Sequence, residues 1–233
     1  MVALGAALAV VLAVPALALA GPFTLHPSGF GPHSYSSWKG GEGLPDSRGS
    51  KNQSLYFQKN TLTTTFAAGV AVFKGFEGMP TSAVLPLEFW WGMDGHCGAG
   101  APRFNVRIAL TGGGTQTFFV GCAGMLPGAV ATAPNGRVFQ EKSFAGPLPP
   151  GEILSLSIVF DEGREFGRCN GTPGLLSGES CVHLDNIRVG QHVWTAASDN
   201  GNNQTITSAP LGEAFVAGLL GESLAAALSP PTR

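Results

Sequence analysis

The chain has 233 residues, of which 44% are hydrophobic and only 12% are charged, and its formal net charge is −2. This near-neutral charge excludes the basic field that nucleic-acid phosphates require. The low charged content also excludes coiled coils and helical bundles. Gly and Pro supply 34 and 17 residues, about 22% of the chain against a usual level of about 12%. The composition therefore favours one turn-rich globular domain of the all-β class.

Residues 1–20 have the features of an export signal. They carry no charged side chain and are almost entirely small or apolar. They end in Ala18-Leu19-Ala20, the small-x-small pattern that a signal peptidase cleaves. We therefore predict a cleaved signal peptide, a secreted mature chain and no membrane span within that chain. An uncleaved anchor is the alternative, because this apolar run can almost span a bilayer.

The four cysteines become interpretable once export is assumed. Four cysteines allow three pairings, and none forms the CxxC spacing that is typical of zinc sites. Disulfides form in the oxidising compartments that exported proteins reach. Each pair of consecutive cysteines also brackets a Gly-rich segment between predicted strands. We therefore predict the bonds Cys97–Cys122 and Cys169–Cys181.

The remaining chain divides by its hydrophobic pattern. Residues 21–53 are rich in Gly, Ser, Pro and His without periodicity, which predicts an irregular lead-in. Over 54–196, short β-prone runs alternate with Gly and Pro, as in a sandwich or barrel. Apolar and polar residues alternate one by one at 103–110, so this strand buries one face, as in two packed antiparallel sheets. The predicted strands are 54–59, 62–74, 83–92, 103–110, 115–121, 137–144, 153–161, 181–189 and 191–196.

A change of character follows the predicted sandwich. Residues 197–210 form a polar connector, and 211–228 carry Leu and Phe at intervals of three to four. This spacing predicts a short amphipathic helix. The helix either docks on the sandwich or binds a partner.

Several segments of the predicted sandwich carry a family resemblance. The sequence IVFDEG at 158–163 ends one strand, and LDNIRV at 184–189 closes another. With 97–106 and 119–123, these segments resemble secreted jelly-roll domains. That group includes galactose-binding-like carbohydrate-binding modules and uncharacterised exported bacterial proteins. The resemblance spans roughly residues 35–195 and implies a jelly-roll antiparallel β-sandwich, in a group that contains sugar binders and adhesion modules.

The resemblance also implies a structural calcium ion. In such carbohydrate-binding modules, an acidic residue of the last core strand helps to hold calcium, and Asp185 matches that position. The apolar residues change parity at Asp185-Asn186, which indicates a β-bulge that turns oxygens toward one point. Calcium takes six to eight oxygens, so Glu42 or Asp46 are the expected partners. A hydrogen-bonded bulge without metal is the alternative.

A ligand site is predicted around the adjacent tryptophans of strand 83–92. Neighbouring residues of a strand point to opposite faces, and the apolar parity places Trp91 in the core and Trp90 outside, beside Glu88. Indole rings stack on sugar rings, while carboxylates, amides and guanidinium groups bind hydroxyls. The alternative is that Trp90 packs under a loop such as 93–102. The predicted ligand-binding residues are Trp90, Glu88, Asn105 and Arg107.

These observations predict a secreted, non-catalytic binding module whose ligand is a glycan, with no cofactor other than calcium. The first alternative is a structural or adhesive cell-surface or matrix protein that uses protein–protein contacts through 211–228. The second is a β-sandwich glycosidase or lyase. Glycosidases use two carboxyl groups about 5–9.5 Å apart, and none of the 15 acidic residues forms such a pair within one predicted strand.

Overall fold

Two antiparallel sheets account for most of the computed structural model, which describes residues 23–46, 51–164 and 180–200. The predicted signal peptide, 1–20, and the predicted helix, 211–228, lie outside the described residues. Within those residues, the helical segments are short 3₁₀ turns, and none reaches seven residues. No helix in the described ranges has the length and apolar character needed to cross a membrane.

The first sheet has five strands, and every neighbouring pair is antiparallel. Pro27 of the first strand stands at an edge of this sheet, where a missing N–H is tolerated. In spatial order the strands are β1 (Thr24–Phe30), β4 (Ala68–Lys74), β10 (Gly151–Phe160), β6 (Arg103–Leu110) and β7 (Thr115–Gly121).

The second sheet has seven strands, again with antiparallel neighbours. Its strands in spatial order are β2 (Ser34–Lys39), β3 (Ser54–Lys59), β11 (Cys181–Val189), β5 (Leu87–Gly92), β9 (Val138–Phe144) and β8 (Leu126–Thr132), with β12 (His192–Trp194) paired to β11. The predicted all-β sandwich is confirmed, and its arrangement is compatible with a jelly roll.

The core lies between the two sheets. Phe104 of β6 stacks on Phe89 of β5, with ring centroids 5.6 Å apart, and both side chains are fully buried. Val106 and Ile108 continue the inward row of β6, as the alternation predicts. Each such apolar side chain contributes about 1.5–3 kcal/mol when it is buried, so this row fixes which face of β6 is internal.

The lead-in 21–53 is not irregular, because it contains β1 and β2. Both strands lie at sheet edges, where neither an unbroken ladder nor a full apolar face is required. Ser36 of β2 replaces apolar packing with hydrogen bonds, because its Oγ donates to the carbonyl oxygen of Val70 and accepts from the amide of Ser28. An edge strand built this way shows no hydrophobic alternation.

The structure differs from the predicted strands in three other places. The strand predicted at 62–74 begins at Ala68, because the preceding loop folds around the ammonium group of Lys59, which donates to the carbonyls of Thr63 and Thr65 at 2.9 and 2.8 Å. The strand predicted at 83–92 begins at Leu87, after a 3₁₀ turn. Strand β8, an exposed edge strand with the sequence LPGAVAT, was not predicted, because its Pro and Gly are residues typical of turns.

The disulfide Cys97–Cys122 is confirmed, with Cα atoms 5.2 Å apart. It tethers the loop that carries the chain from β5 in one sheet to β6 in the other. The predicted partner of Cys181, Cys169, lies outside the described residues, so the second bond stays a prediction.

Candidate functional site

Trp90 lies on the outer face of the seven-stranded sheet. Trp91 packs against the core between the sheets, whereas Trp90 is partly buried against a small outer cluster. That cluster consists of Leu44, Ala133 and Phe139. Trp90 therefore has the outward orientation that the strand pattern predicts, and the segment beside it is the lead-in rather than the loop 93–102.

The four predicted ligand residues do not form one site. Trp90 and Glu88 belong to β5 in the seven-stranded sheet, whereas Asn105 and Arg107 belong to β6 in the five-stranded sheet. Phe104 and Val106, which alternate with Asn105 and Arg107 along β6, face the core. Asn105 and Arg107 therefore point away from the core, on the opposite side of the sandwich from Trp90. The structure thus separates the predicted set into two pairs.

Charged residues other than the predicted ones surround Trp90. Arg188 of β11 donates to the Oε2 atom of Glu88 at 3.3 Å, and the two side chains are 36% and 19% exposed. Glu141 of β9 stands directly opposite Trp90 across the β5–β9 pair. The partly exposed indole therefore has an accessible ion pair on one side and a carboxylate on another.

A loop of the lead-in, which we call the strap (residues 40–46), is fixed to this sheet at several points. Its own turn is closed by the amides of Gly41 and Gly43, which donate to the carbonyls of Lys51 and Asn52 at 2.7 and 2.9 Å. Leu44 is buried in the outer cluster that contacts Trp90. The strap therefore covers part of the outer face next to the indole.

Asp185 anchors the strap from below. The predicted β-bulge is present, because the β11–β5 register shifts after Asp185 and Asn186 has φ 42°. The fully buried carboxylate accepts the amide hydrogens of Leu44 at 2.6 Å and of Asn186 at 2.7 Å. Burial raises the pKa of Asp185 to about 7, and the nearby charge of Asp46 acts in the same direction.

The described residues near Asp185 do not fit a calcium site. Both oxygens of Asp185 already accept amide hydrogens. Glu42 binds Arg137, and an oxygen of Asp46 accepts the amide hydrogen of Gln53 at 3.0 Å. In the described ranges, no three His, Cys, Asp or Glu side chains are grouped as metal ligands. Calcium requires six to eight oxygens, and the carboxylate of Asp185 supplies at most two of them.

Arg137 lies under the other half of the strap and holds two carboxylates. Its Nη1 atom donates to Oδ2 of Asp94, and its Nη2 atom donates to Oε2 of Glu42 at 2.9 Å. Asn135 donates to the same Glu42 oxygen at 3.1 Å. The side chains of Arg137 and Asp94 are 8% and 3% exposed, whereas that of Glu42 is 39% exposed. Glu42 is therefore the outer, solvent-facing partner.

The Arg137–Asp94 pair keeps unused hydrogen-bonding capacity. In the described part of the chain, the buried Nε of Arg137 and the buried Oδ1 of Asp94 have no hydrogen-bond partner. Burial raises the pKa of Asp94, and the guanidinium group of Arg137 opposes that effect. Nearby, burial and the charges of Arg137 and Lys39 hold the pKa of His183 well below its usual range. A neutral His183 ring, bonded to Ser54 at 2.7 Å, leaves Arg137 as the cation in contact with the strap.

The other predicted pair belongs to a different cluster. Asn105 is buried and accepts a hydrogen bond from Nε of Arg103 at 2.9 Å. Arg103 also makes a bidentate pair with Asp161, at 2.5 and 2.7 Å, and its guanidinium carbon lies 5.4 Å from the ring centroid of Phe119. Asn105 thus completes a buried structural network, while Arg107 is exposed beside it.

A cross-strand pair of carboxylates does exist beside Trp90. Glu88 and Glu141 are diagonal neighbours on β5 and β9, a relation that places side chains about 7–8 Å apart at their bases. Glycosidases hold their two carboxyl groups about 5–9.5 Å apart, a separation that side chains with bases at this spacing can reach. However, Glu88 is paired with Arg188, and Glu141 accepts the amide hydrogen of Ala129 at 3.2 Å. Both carboxylates therefore have partners within the sheet.

Sequence reasoning missed Arg137, Asn135 and Arg188 as site residues. Arg137 is 43 residues from Asp94 and 95 from Glu42 along the chain, so no local spacing signals their contact. Arg188 follows the β-bulge, and it stands opposite Glu88 only because the β11–β5 register shifts there. The parity change at Asp185 was the one available signal, and it did not identify the partner strand.

Comparison of the chain with protein-family models, with curated proteins and with solved structures finds no match. The support for a resemblance to jelly-roll domains is thus limited to the β-sandwich architecture of the described residues.

Proposed function

We propose that the protein is a secreted, non-catalytic binding module, that its ligand is a glycan, and that the binding face surrounds Trp90. The observation that carries this proposal is the position of Trp90, partly buried on an outer sheet face rather than in the core. A large aromatic ring at such a position offers a flat apolar surface to the C–H face of a sugar. The export signal predicted at 1–20 and the disulfide Cys97–Cys122 are compatible with an extracellular protein.

The surroundings of Trp90 supply the polar part of such a site. Sugar hydroxyls both donate and accept hydrogen bonds, and the Glu88–Arg188 pair offers an acceptor and a donor side by side. These two side chains are 19% and 36% exposed, so both are accessible from solvent. In this proposal Arg188 and Glu141 take the roles that the sequence assigned to Asn105 and Arg107.

A glycan array and polysaccharide pull-down with the full chain test this function. Trp90→Ala should abolish or strongly reduce binding while the far-ultraviolet circular dichroism stays close to wild type, which shows that the fold is retained. Phe119→Ala is the matched control, because Phe119 is an aromatic side chain, 40% exposed, on the other sheet. Equal loss of binding in both variants, or an unchanged Trp90→Ala protein, would remove the indole from the site.

A structural or adhesive role is the second candidate, and strand β8 favours it. Leu126 and Val130 are 68% and 58% exposed on this uncharged edge strand, and exposed edges can pair with another chain. Val130→Lys should reduce surface retention or self-association if β8 is an interface, with glycan binding unaffected. Retained assembly in that variant would argue against the adhesive role.

Catalysis by the Glu88 and Glu141 pair is tested separately. Incubation with polysaccharides and measurement of released reducing ends should show no turnover in the wild-type protein. Release that disappears in both Glu88→Gln and Glu141→Gln would identify a glycosidase instead.

A further inference from the structure

The strap places an apolar side chain and a carboxylate on the face of Trp90, two residues apart. Leu44 fills the outer cluster that the indole contacts. Glu42 lies on the guanidinium group of Arg137 and on the amide of Asn135, at 2.9 and 3.1 Å. The strap therefore places one apolar group against the indole cluster of this face and one carboxylate on its hydrogen-bond donors.

Of these contacts, the Glu42 carboxylate is the one that solvent and solutes can reach. Its side chain is 39% exposed, whereas that of Arg137 is 8% exposed and is fixed from behind by Asp94. Because the acid of this pair is partly exposed and Arg137 keeps its bond to Asp94, Glu42 can leave while Arg137 stays in place. A free Arg137 and Asn135 would present two donors to an incoming oxyanion.

The Arg137–Asp94 pair also contains a donor atom and an acceptor atom that make no hydrogen bond within the described residues. Within the described residues, Nε of Arg137 and Oδ1 of Asp94 are buried without a hydrogen-bond partner. Buried polar atoms of this kind are uncommon. Their position beneath Glu42 indicates that the polar end of the face is not fully satisfied when the strap is seated.

We propose that the ligand of the Trp90 face is an acidic glycan containing uronic acid units. Its carboxylate replaces Glu42 on Arg137 and Asn135, and its sugar ring replaces Leu44 in the outer cluster beside Trp90. Binding then requires the strap to lift, and the strap competes with the ligand. This inference rests on the proposed glycan function and specifies its substrate class.

An acidic peptide shares the carboxylate and the apolar group, but the glycan fits more of the face. The Glu88–Arg188 pair lies beside Trp90 and has accessible donor and acceptor atoms. The strap peptide leaves this pair unused, whereas a sugar presents hydroxyls all around its ring. The chemistry of the whole face, rather than that of Arg137 alone, favours the sugar.

Calorimetric titration with oligogalacturonate and with its methyl ester provides the test, because esterification removes the negative charge and keeps the ring. The wild-type protein should bind the acid form about tenfold more tightly than the ester, a ratio in the range expected for one charge-assisted hydrogen-bonded contact. Glu42→Gln should raise the affinity for the acid form about fivefold, because the carboxylate that competes for Arg137 is removed. Glu77→Gln is the matched control, since Glu77 makes an exposed pair with Lys74 on the other sheet.

Equal affinity for acid and ester, or equal effects of Glu42→Gln and Glu77→Gln, would overturn the acidic-glycan inference while the glycan function stands. Binding of a peptide with the strap sequence GGEGLPD, without binding of any oligosaccharide, would overturn both and identify a peptide site. Failure of all these probes to bind would overturn the acidic-glycan inference, and the glycan array would then decide whether the glycan function stands.

Discussion

Each sheet of the sandwich has an arginine paired with a buried aspartate, and the two pairs differ in what completes them. Arg103 and Asp161 form two hydrogen bonds, and Arg103 also donates to Asn105 and to the carbonyl of Gly100. Arg137 and Asp94 share one hydrogen bond, and the remaining partner is the exposed Glu42 of the strap. The first network is closed, and the second ends at a replaceable group.

This difference indicates which buried charges have a structural role and which are available for binding. Buried charges are tolerated only when they are paired and hydrogen-bonded. The Arg103 network meets that condition without any outside contribution. The Arg137 pair keeps two buried atoms without partners in the described residues and lies beside Trp90. The Arg137 pair on the seven-stranded sheet therefore offers a ligand polar atoms that still lack hydrogen bonds, whereas the Arg103 network on the five-stranded sheet does not.

Loss of one member of the closed network should have the largest effect. Asp161→Ala leaves the buried guanidinium of Arg103 without its counter-ion, and breaking such a pair costs about 3–5 kcal/mol. Urea unfolding of the variant and the wild type measures this free energy. A loss below 1 kcal/mol would show that the network is not a structural anchor.

The pH dependence of stability should be controlled in part by Asp185, under the strap. Its pKa is raised to about 7 from 3.8, so the folded protein retains a proton that the unfolded chain loses, and stability falls as pH rises between about 4 and 7. Relative to Asp185→Asn, the wild type should lose roughly 2–4 kcal/mol across this window. Both proteins share the titration of His183, which cancels in the difference between their unfolding free energies. A difference independent of pH would contradict the raised pKa.

Displacement of the strap should have an intermediate effect. A Cβ atom at residue 43 would lie 2.6 Å from Oδ2 of Asp185 and closer still to the carbonyl oxygen of Gln53. Gly43→Ala should therefore lift the strap, lower stability by about 1–3 kcal/mol and increase acrylamide quenching of tryptophan fluorescence. Gly40→Ala is the control, because its nearest neighbours lie 3.9 Å away. Quenching that rises equally in both variants would show that the strap does not shield Trp90.

Removal of the replaceable carboxylate should have the smallest effect on stability. Glu42→Gln breaks an ion pair whose acid is 39% exposed, and such pairs contribute about 0–1 kcal/mol. Thermal or urea unfolding measures the change. A loss as large as that of Asp161→Ala would place Glu42 among the structural charges and would contradict its exchange with a ligand.

The sequence predicts strands well where one face alternates and poorly where a strand lies at an edge. The strand 103–110 matches β6 because Phe104 and Val106 alternate with polar residues. The edge strands β1, β2 and β8 carry no such pattern.

The same limit applies to the candidate site. The orientation of Trp90 follows from local parity, but its partners depend on which sheet each strand joins. The chain crosses between sheets after β5, so the adjacent strand β6 carries Asn105 to the opposite side.

Hydrogen exchange at the Leu44 amide reports directly on the position of the strap, because this amide donates to Asp185 only while the strap is seated. The exchange rate would be measured in the wild-type protein with and without saturating oligogalacturonate. We expect faster exchange at Leu44 when the acidic glycan is bound, with core amides such as that of Phe104 unchanged or slower. Ligand binding that leaves the Leu44 amide as protected as before would contradict the exchange of strap for ligand.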